Sequence, residues 1–291
     1  MKITNKYGLP QPFVDAVTRN YEYKEKRYSV TSILKGLREN LLTRKYANDI
    51  EQDVAESIWL IFGTAVHKVL EESNDDENLL KELKLEWKLE NGYTLSGIID
   101  LYDTKQKEVI DYKTGSIWKV KFDDWSDYRK QLLYYAVLLK KNGYECNKGK
   151  NVMLLKDHSK REAKISSDYP EFPVYTKEYT FTSDELEQAE QEIIEIFKQI
   201  ESLENALDSE LPLCSNEQRW AKPDKWAVMK KGNKKAIRVL NSEQEAQEYM
   251  CGGKGDYIEF RKGEDSKCLE YCSCAKYCDY YKEKYGQDNQ E

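Results

Sequence analysis

Two aspartates and a lysine stand near the ends of apolar runs whose spacing could bring them together. Asp100 closes the run SGIID, and Asp111 lies in EVIDYKTG with Lys113 two residues later. If these runs are adjacent strands, about 4.8 Å apart, both carboxylates could bind one Mg²⁺ or Mn²⁺, which prefer oxygen ligands. Lys113 shares a strand face with Asp111 and could act on a water molecule or on phosphate charge. The alternative is that Asp100, Asp111 and Lys113 form an inert buried ion pair.

Two segments with helical periodicity carry polar residues that could complete such a site. His67 follows Gly63 by four residues in GTAVH, and Gln131 precedes Tyr135 by four residues in QLLYYA. Residues at this spacing lie on one face of a helix. A single helical histidine is usually structural or exposed, so its value here depends on its neighbours.

The apolar periodicity and the turn signals predict the elements that must position these residues. Asn91-Gly92 is a strong hairpin signal, and Gly143 is a plausible helix end. The predicted elements are helices over 32–46 and 49–72, strands over 83–90, 93–103 and 107–115, a helix over 128–143, and strands over 151–159 and 174–182. This order predicts a mixed α/β core. A further amphipathic helix, with apolar residues from Leu186 to Leu207, should dock one face on that core rather than form a coiled-coil dimer.

Composition indicates a soluble globular protein with three regions. The chain has 291 residues, of which 40% are hydrophobic and 34% charged. No run approaches the roughly 20 apolar residues of a membrane helix, and the N-terminus lacks the apolar segment of a secretion signal, so a cytoplasmic protein is expected. We predict an N-terminal arm at 1–30, a core at 31–210, and a basic hairpin with a cysteine cluster at 211–291 that is clamped onto the core.

Charge is segregated along the chain although the net charge is only −7. Residues 183–210 contain ten acids and one lysine, whereas residues 219–238 contain eight Lys or Arg and one Asp. The second segment also interleaves Trp220, Trp226 and Met229 with its cations. That composition suits contact with a phosphate backbone, and it equally suits a solvated basic hairpin.

The cysteines indicate a metal or cluster site. Four of the seven lie at Cys268, Cys272, Cys274 and Cys278, and such clustering in a reducing compartment favours metal ligation over disulfides. Four thiolates suit either Zn²⁺ or a [4Fe-4S] cluster, and the local spacing does not decide between them. Four ligands within so short a segment would be cramped for one tetrahedral site.

Taken together, the polar residues resemble the RecB-like branch of the PD-(D/E)XK nuclease superfamily. That family carries, in order, G-x-x-x-H, G-h-h-D, h-h-D-h-K-T-G and Q-x-x-x-Y, where h is apolar. All four blocks occur in this order here: Gly63/His67, Gly97/Asp100, Asp111/Lys113/Gly115 and Gln131/Tyr135. One departure is Ile99 in place of proline before the first acid, which is usual in the RecB-like branch.

The resemblance implies a restriction-endonuclease-like core with a mixed central sheet flanked by helices. It implies that Lys113 is the catalytic lysine and that Gln131 and Tyr135 support it or contact the DNA backbone. The metal ligands it implies are His67, Asp100, Asp111 and the backbone carbonyl of Tyr112. Glu86 could be an accessory acid, although an exposed strand position is expected.

The cysteines resemble those of the iron–sulfur branch of this superfamily, which includes AddB-type and CRISPR-associated exonucleases. The resemblance implies a [4Fe-4S] cluster, with structural Zn²⁺ as the alternative. The implied ligands are Cys214, Cys268, Cys272 and Cys278, with Cys274 outside the set and Cys146 and Cys251 without a role. Two departures are the longer gap between Cys268 and Cys272 and the place of Cys214 after the nuclease motifs.

The function implied is a Mg²⁺- or Mn²⁺-dependent deoxyribonuclease, an exonuclease acting in DNA recombination, repair or phage DNA processing. Its partners would be DNA, as a free end or single strand, and a recombination protein. The alternative is a catalytically inactive protein of the same fold that binds DNA ends or serves as a recombination scaffold.

Overall fold

The apolar runs between residues 79 and 180 form the long strands of one mixed sheet. The computed structural model describes residues 1–18 and 23–286, so residues 19–22 of the predicted arm and 287–291 of the predicted C-terminal region lie outside it. The chain divides into two units, Met1–Ala206 and Leu207–Glu291.

The first unit contains eight strands and eight helices within its described residues. The strands are β1 (Lys2–Thr4), β2 (Arg27–Ser29), β3 (Glu51–Asp53), β4 (Leu79–Lys88), β5 (Thr94–Asp103), β6 (Glu108–Gly115), β7 (Lys148–Leu155) and β8 (Val174–Thr180). The helices are α1 (Gln11–Val17), α2 (Val30–Ile33), α3 (Leu37–Lys45), α4 (Ile58–Glu71), α5 (Ile117–Phe122), α6 (Ser126–Lys141), α7 (Lys160–Ile165) and α8 (Ser183–Leu203).

Six of these strands form the central sheet, in the order β2-β5-β6-β7-β8 with β4 on the other edge of β5. β4 and β5 are antiparallel, β6 and β7 are parallel, and β7 and β8 are antiparallel. β2 pairs with the start of β5 in parallel, and β6 pairs with its end in antiparallel. The predicted mixed α/β fold is therefore confirmed.

The β5–β6 ladder ends just before the two predicted acids. Its last pair is Leu101 with Ile110, whereas β6 stays paired with β7 through Gly115. Asp100 and Asp111 occupy the next positions of the two strands, so they face each other where the ladder ends. Sheet register thus places acids that are eleven residues apart in sequence side by side.

Helix α6 covers the sheet at close range. An added Cβ at Gly97 of β5 would lie 2.9 Å from both the Leu138 and the Tyr135 side chains of α6, a distance that real Cβ atoms do not tolerate. This contact explains the glycine three residues before Asp100. The predicted amphipathic helix is α8, whose buried side chains are Leu186, Ala189, Ile193, Phe197 and Ile200.

Two predicted helices differ from the structure. The helix predicted over 32–46 is interrupted at Gly36, whose φ of 94° separates α2 from α3. The helix predicted over 49–72 begins only at Ile58, because residues 51–53 pair in parallel with β1. The Asp53 carboxylate stabilises that pairing by accepting hydrogen bonds from Thr4 Oγ1 (2.7 Å) and the Lys6 amide (2.9 Å).

The second unit has a small antiparallel sheet and a set of short helices. Its elements are α9 (Asn216–Arg219), β9 (Lys225–Met229), β10 (Arg238–Leu240), α10 (Glu243–Cys251), β11 (Tyr257–Arg261), α11 (Ser266–Glu270) and α12 (Asp279–Tyr285). The strand order is β10-β9-β11. The basic segment predicted as a hairpin includes β9 and the first residue of β10, which pair in antiparallel.

Asp265 is the buried polar centre of the second unit. Its carboxylate accepts hydrogen bonds from Arg219 Nε (3.2 Å), Lys284 Nζ (2.8 Å), Tyr280 OH (2.7 Å) and Tyr285 OH (3.1 Å). These bonds tie α9 and α12 to the start of α11.

No helix within residues 1–18 and 23–286 combines the length and apolarity that crossing a bilayer requires.

Candidate active site

The Asp111 carboxylate is buried and contacts three side chains. Lys113 Nζ lies 2.9 Å from its Oδ1 and 2.8 Å from its Oδ2. Gln131 Nε2 donates to Oδ1 over 3.1 Å, and Asn151 Nδ2 donates to Oδ2 over 2.9 Å. Burial raises the pKa of Asp111, and the Lys113 ammonium opposes that rise. The carboxylate is therefore fixed in position by partners from three elements.

Gln131 links Lys113 of β6 to helix α6. Gln131 and Tyr135, four residues apart, lie on the same face of α6. Its Oε1 accepts from Lys113 Nζ over 3.1 Å, and its Nε2 also lies 3.3 Å from Tyr135 OH. Lys113, Gln131 and Tyr135, predicted from separate motifs, thus form one network with Asp111. Burial is the main cause that raises the pKa of the Tyr135 hydroxyl, so Tyr135 stays a neutral hydrogen-bonding partner.

Asn151 belongs to this network but was not predicted. It lies opposite Asp111 on the parallel strand β7, is 0% exposed, and accepts a hydrogen bond from Tyr179 OH over 3.1 Å. A polar side chain at the head of the apolar run NVMLL is unusual, because buried amides need partners. That signal was available in the sequence.

Asp100 lies across from Asp111 and is held by different partners. The Tyr112 amide donates to its Oδ2 over 2.7 Å, and His67 Nδ1 lies 3.4 Å from its Oδ1. The hydrogen bond with Asp100 raises the pKa of His67 above its ordinary value, although partial burial opposes this. The structure therefore brings His67, Asp100 and Asp111 to one end of the β5–β6 ladder. The Tyr112 carbonyl stays a predicted ligand.

Glu82 is the acid that sequence reasoning missed. The pairs Lys81–Leu101 and Leu83–Ile99 place it opposite Asp100 on β4. Its φ of 47° is left-handed, which is strained for a residue with a side chain and concentrates at functional sites. Burial and the nearby Asp100 charge raise the pKa of Glu82.

Glu86, the acid named as a possible accessory residue, lies elsewhere. It is exposed on β4 opposite Ser96 and forms an ion pair with Arg27. Period-2 alternation puts both glutamates on one strand face, and only the register shows that Glu82 faces Asp100.

His67, Glu82 and Asp100 fit a divalent cation. One donor atom from each lies within 4.8 Å of the others, and within the described residues this is the only such group of three or more His, Cys, Asp or Glu. Two half-buried carboxylates that repel each other, beside an imidazole, gain from a cation between them. Asp111 is outside this group, because its oxygens face Lys113, Gln131 and Asn151.

The predicted thiols gather in the second unit. Burial raises the pKa of Cys268 to about 12, and the neighbouring Cys272, Cys214 and Cys278 thiols add to the rise. Cys274 is buried, with its Sγ 3.5 Å from Cys272 Sγ. None of the seven cysteines forms a disulfide. Cys268 and these three neighbours, Cys214, Cys272 and Cys278, offer the soft donor set of an iron–sulfur or zinc site. Within the described residues, no three of these sulfur atoms lie within 4.8 Å of one another.

Comparison with known proteins gives one family and several solved structures with a similar fold. No curated protein sequence matches the chain. The crystal structure of SSO0001 is 17% identical, with a TM-score of 0.46, and the match covers 69% of this chain and 87% of that one. A phage-related exonuclease from Haemophilus somnus 129PT is 13% identical, with a TM-score of 0.29, and the match covers 60% and 81%. The sequence profile of the PD-(D/E)XK nuclease superfamily matches residues 65–279, and the chain belongs to that superfamily.

Proposed function

We propose that the chain is a Mg²⁺- or Mn²⁺-dependent deoxyribonuclease that hydrolyses phosphodiester bonds. PD-(D/E)XK nucleases usually use divalent metals such as Mg²⁺. The observation that carries the proposal is the placement of His67, Glu82 and Asp100 beside the Asp111–Lys113 pair, at the end of one ladder. Asp111 and the Tyr112 carbonyl would join the cation when it binds.

The residues divide the chemistry between them. A bound divalent cation supplies Lewis acidity toward phosphate and water. Lys113 provides a fixed positive charge where negative charge develops on the phosphate, and such preorganised charge is often the largest catalytic contribution. Gln131 holds the Lys113 ammonium in place, and Asn151 holds Asp111.

We further propose exonucleolytic cutting from a DNA end, in recombination, repair or phage DNA processing, with a recombination protein as partner. This follows the motif resemblance to RecB-like nucleases. The basic segment 219–238 would contact the DNA backbone, since its cations and aromatic residues suit phosphate contacts. We also propose a cytoplasmic location, where a reducing milieu keeps the thiols available.

The thiol set supports a second, structural metal group. We propose a [4Fe-4S] cluster on Cys214, Cys268, Cys272 and Cys278, because Cys214, Cys272 and Cys278 lie close enough to Cys268 to raise the pKa of its thiol. Anaerobic purification should give a protein with the broad visible absorption of iron–sulfur clusters and iron by elemental analysis. A colourless protein with one zinc ion per chain would show that these thiols bind structural Zn²⁺ and not an iron–sulfur cluster.

The experiment for the nuclease function uses the metal-free full chain with end-labelled single-stranded and duplex DNA. Mg²⁺ or Mn²⁺ should start cleavage, and EDTA should stop it. Asp100→Asn should abolish cleavage while circular dichroism remains unchanged. DNA binding without cleavage across Mg²⁺, Mn²⁺ and Co²⁺ would contradict the proposal and indicate an inactive DNA-end-binding protein.

A further inference from the structure

Helix α4 is largely apolar in sequence, yet none of its side chains is buried. Trp59 is 64% exposed and lies about two helical turns before His67. The helix lies alongside strand β6. The ring centres of His67 and Tyr112 are 6.0 Å apart, and Gly63 faces Thr114. Trp59 therefore lies toward the carboxyl end of β6, beyond the acids.

The contacts of Lys156 show that Trp59 lies at that end of β6. The Lys156 amide donates to the Gly115 carbonyl over 2.9 Å, and the Lys156 ammonium lies 4.1 Å from the centre of a Trp59 ring. Gly115 is the last residue of β6 and follows Lys113 by two residues. An exposed indole thus adjoins the strand that carries the proposed catalytic lysine.

Two more exposed aromatic rings follow on α5, immediately after β6. Trp118 and Phe122 are 55% and 75% exposed and are stacked, with ring centres 5.8 Å apart and an interplanar angle of 27°. Ser116 caps α5 by accepting a hydrogen bond from the Trp118 amide. Lys121 Nζ lies 5.0 Å from the Trp118 ring centre.

Lys121 and Lys156 place positive charge beside these rings. Within the described residues, neither Lys121 nor Lys156 forms an ion pair with a carboxylate. The Asp157 carboxylate is directed toward the start of α5, where it accepts hydrogen bonds from Ser116 Oγ (2.6 Å) and the Ile117 amide (2.7 Å). The Asp123 carboxylate pairs with Lys177 over 2.8 Å.

Exposed aromatic faces beside lysines are the combination that binds single-stranded nucleic acid, because bases stack on the rings and phosphates approach the cations. A duplex keeps its bases stacked on one another and offers no free faces. A surface that binds a protein partner is usually depleted in lysine, so the interleaved lysines favour nucleic acid.

We propose that Trp59, Trp118 and Phe122 form a stacking platform that holds unpaired bases of single-stranded DNA beside the Lys113 site. This inference rests on the function proposed above and defines its substrate class. A DNA end would be bound here as an unpaired strand, whose phosphates then reach the acids at the end of the β5–β6 ladder.

The test measures DNA binding with full-length protein carrying Asp100→Asn, so that cleavage does not interfere. Fluorescence anisotropy compares a labelled dT oligonucleotide with a blunt hairpin duplex. Trp59→Ala and Trp118→Ala should each weaken dT binding by roughly 5- to 150-fold, the range for loss of one base–aromatic stack. Duplex binding should change by less than about twofold, and Trp59→Phe and Trp118→Phe should restore most of the dT affinity.

Val69→Ala is the matched control, because Val69 is 70% exposed on the same helix but is not aromatic. Unchanged dT binding by both Trp→Ala variants, a loss equal to that of Val69→Ala, or an equal loss for duplex DNA would overturn the platform. Cleavage by the wild-type protein with Mn²⁺ tests the nuclease proposal separately. If the wild type cleaves DNA and Trp59→Ala binds dT as tightly as its parent, the platform is rejected and the nuclease proposal stands.

Discussion

The two units of the chain hold their chemistry in different ways. In residues 1–206, side chains from β4, β5, β6, α4, α6 and β7 meet at one end of a ladder, and Asp111 is fixed by three hydrogen-bonding partners. In the described part of the second unit, residues 207–286, the thiols of Cys214, Cys272 and Cys278 lie near Cys268, but no three of these four sulfur atoms come within 4.8 Å of one another. The difference indicates that the protein alone preorganises the first site. The metal group proposed for the second unit would have to draw its thiols together.

The largest effect should come from breaking the thiol set. Cys272→Ser should remove the metal group and lower the free energy of unfolding by up to roughly 10 kcal/mol, because metal binding at structural sites contributes folding energy. DNA binding should weaken as the basic segment loses its support. Thermal unfolding with iron and zinc analysis measures this.

Cys251→Ser is the control, since Cys251 is exposed at the end of α10. Equal stability and metal content for Cys272→Ser and Cys251→Ser would show that the thiols hold no structural metal. The contrast between the two units would then fail.

In the first unit, Lys113→Ala should slow cleavage by about 100- to 1,000-fold, the usual loss when one preorganised charge-stabilising donor is removed. The variant should still fold, because Gln131 and Asn151 continue to donate to Asp111. Single-turnover cleavage rates and circular dichroism measure both effects. Lys88→Ala, at an exposed end of β4, serves as control, and comparable rates for the two variants would exclude a catalytic role for Lys113.

Glu82→Gln should reduce cleavage by at least about tenfold and raise the Mn²⁺ concentration needed for half-maximal rate, since one metal ligand weakens. Stability should be unchanged or higher, because the repulsion between Glu82 and Asp100 is relieved. Glu86→Gln, four residues along the same strand, should behave as wild type. Identical Mn²⁺ dependence for the two glutamine variants would remove Glu82 from the site.

The smallest predicted effect is the loss of stability at low pH that comes from protonation of Asp265. Burial alone would raise the pKa of Asp265, but hydrogen bonds from Lys284, Tyr280 and Arg219 lower it from 3.8 to about 2. Because the folded-state pKa is the lower one, the stabilisation is complete above about pH 4 and is lost as the pH falls toward 2. It amounts to about 2 kcal/mol.

Asp265→Asn should therefore be less stable at pH 7 and lose this part of the acid dependence, as measured by denaturant unfolding between pH 2 and 7. Asp256→Asn, at an exposed position, should retain the dependence. If Asp265→Asn and wild type lose stability in parallel over this range, the hydrogen bonds to Asp265 do not set the acid sensitivity of the second unit.

The sequence was sufficient for features that depend on local pattern. Period-2 alternation placed Asp111 and Lys113 on one face, helical spacing joined Gln131 to Tyr135, and the element order predicted the mixed sheet. Register was not readable from the sequence, so Glu82 was missed while Glu86 was named. Pairing between residues far apart in sequence also replaced the start of one predicted helix with β3, since tertiary hydrogen bonds override local periodicity.

The most direct test of the metal site is an anomalous-scattering map of the crystalline protein with Mn²⁺. The expected result is one strong peak within ligand distance of His67, Glu82 and Asp100, with Asp111 close enough to join. A peak bound by other residues, or none at saturating Mn²⁺, would contradict a divalent cation at the end of the β5–β6 ladder.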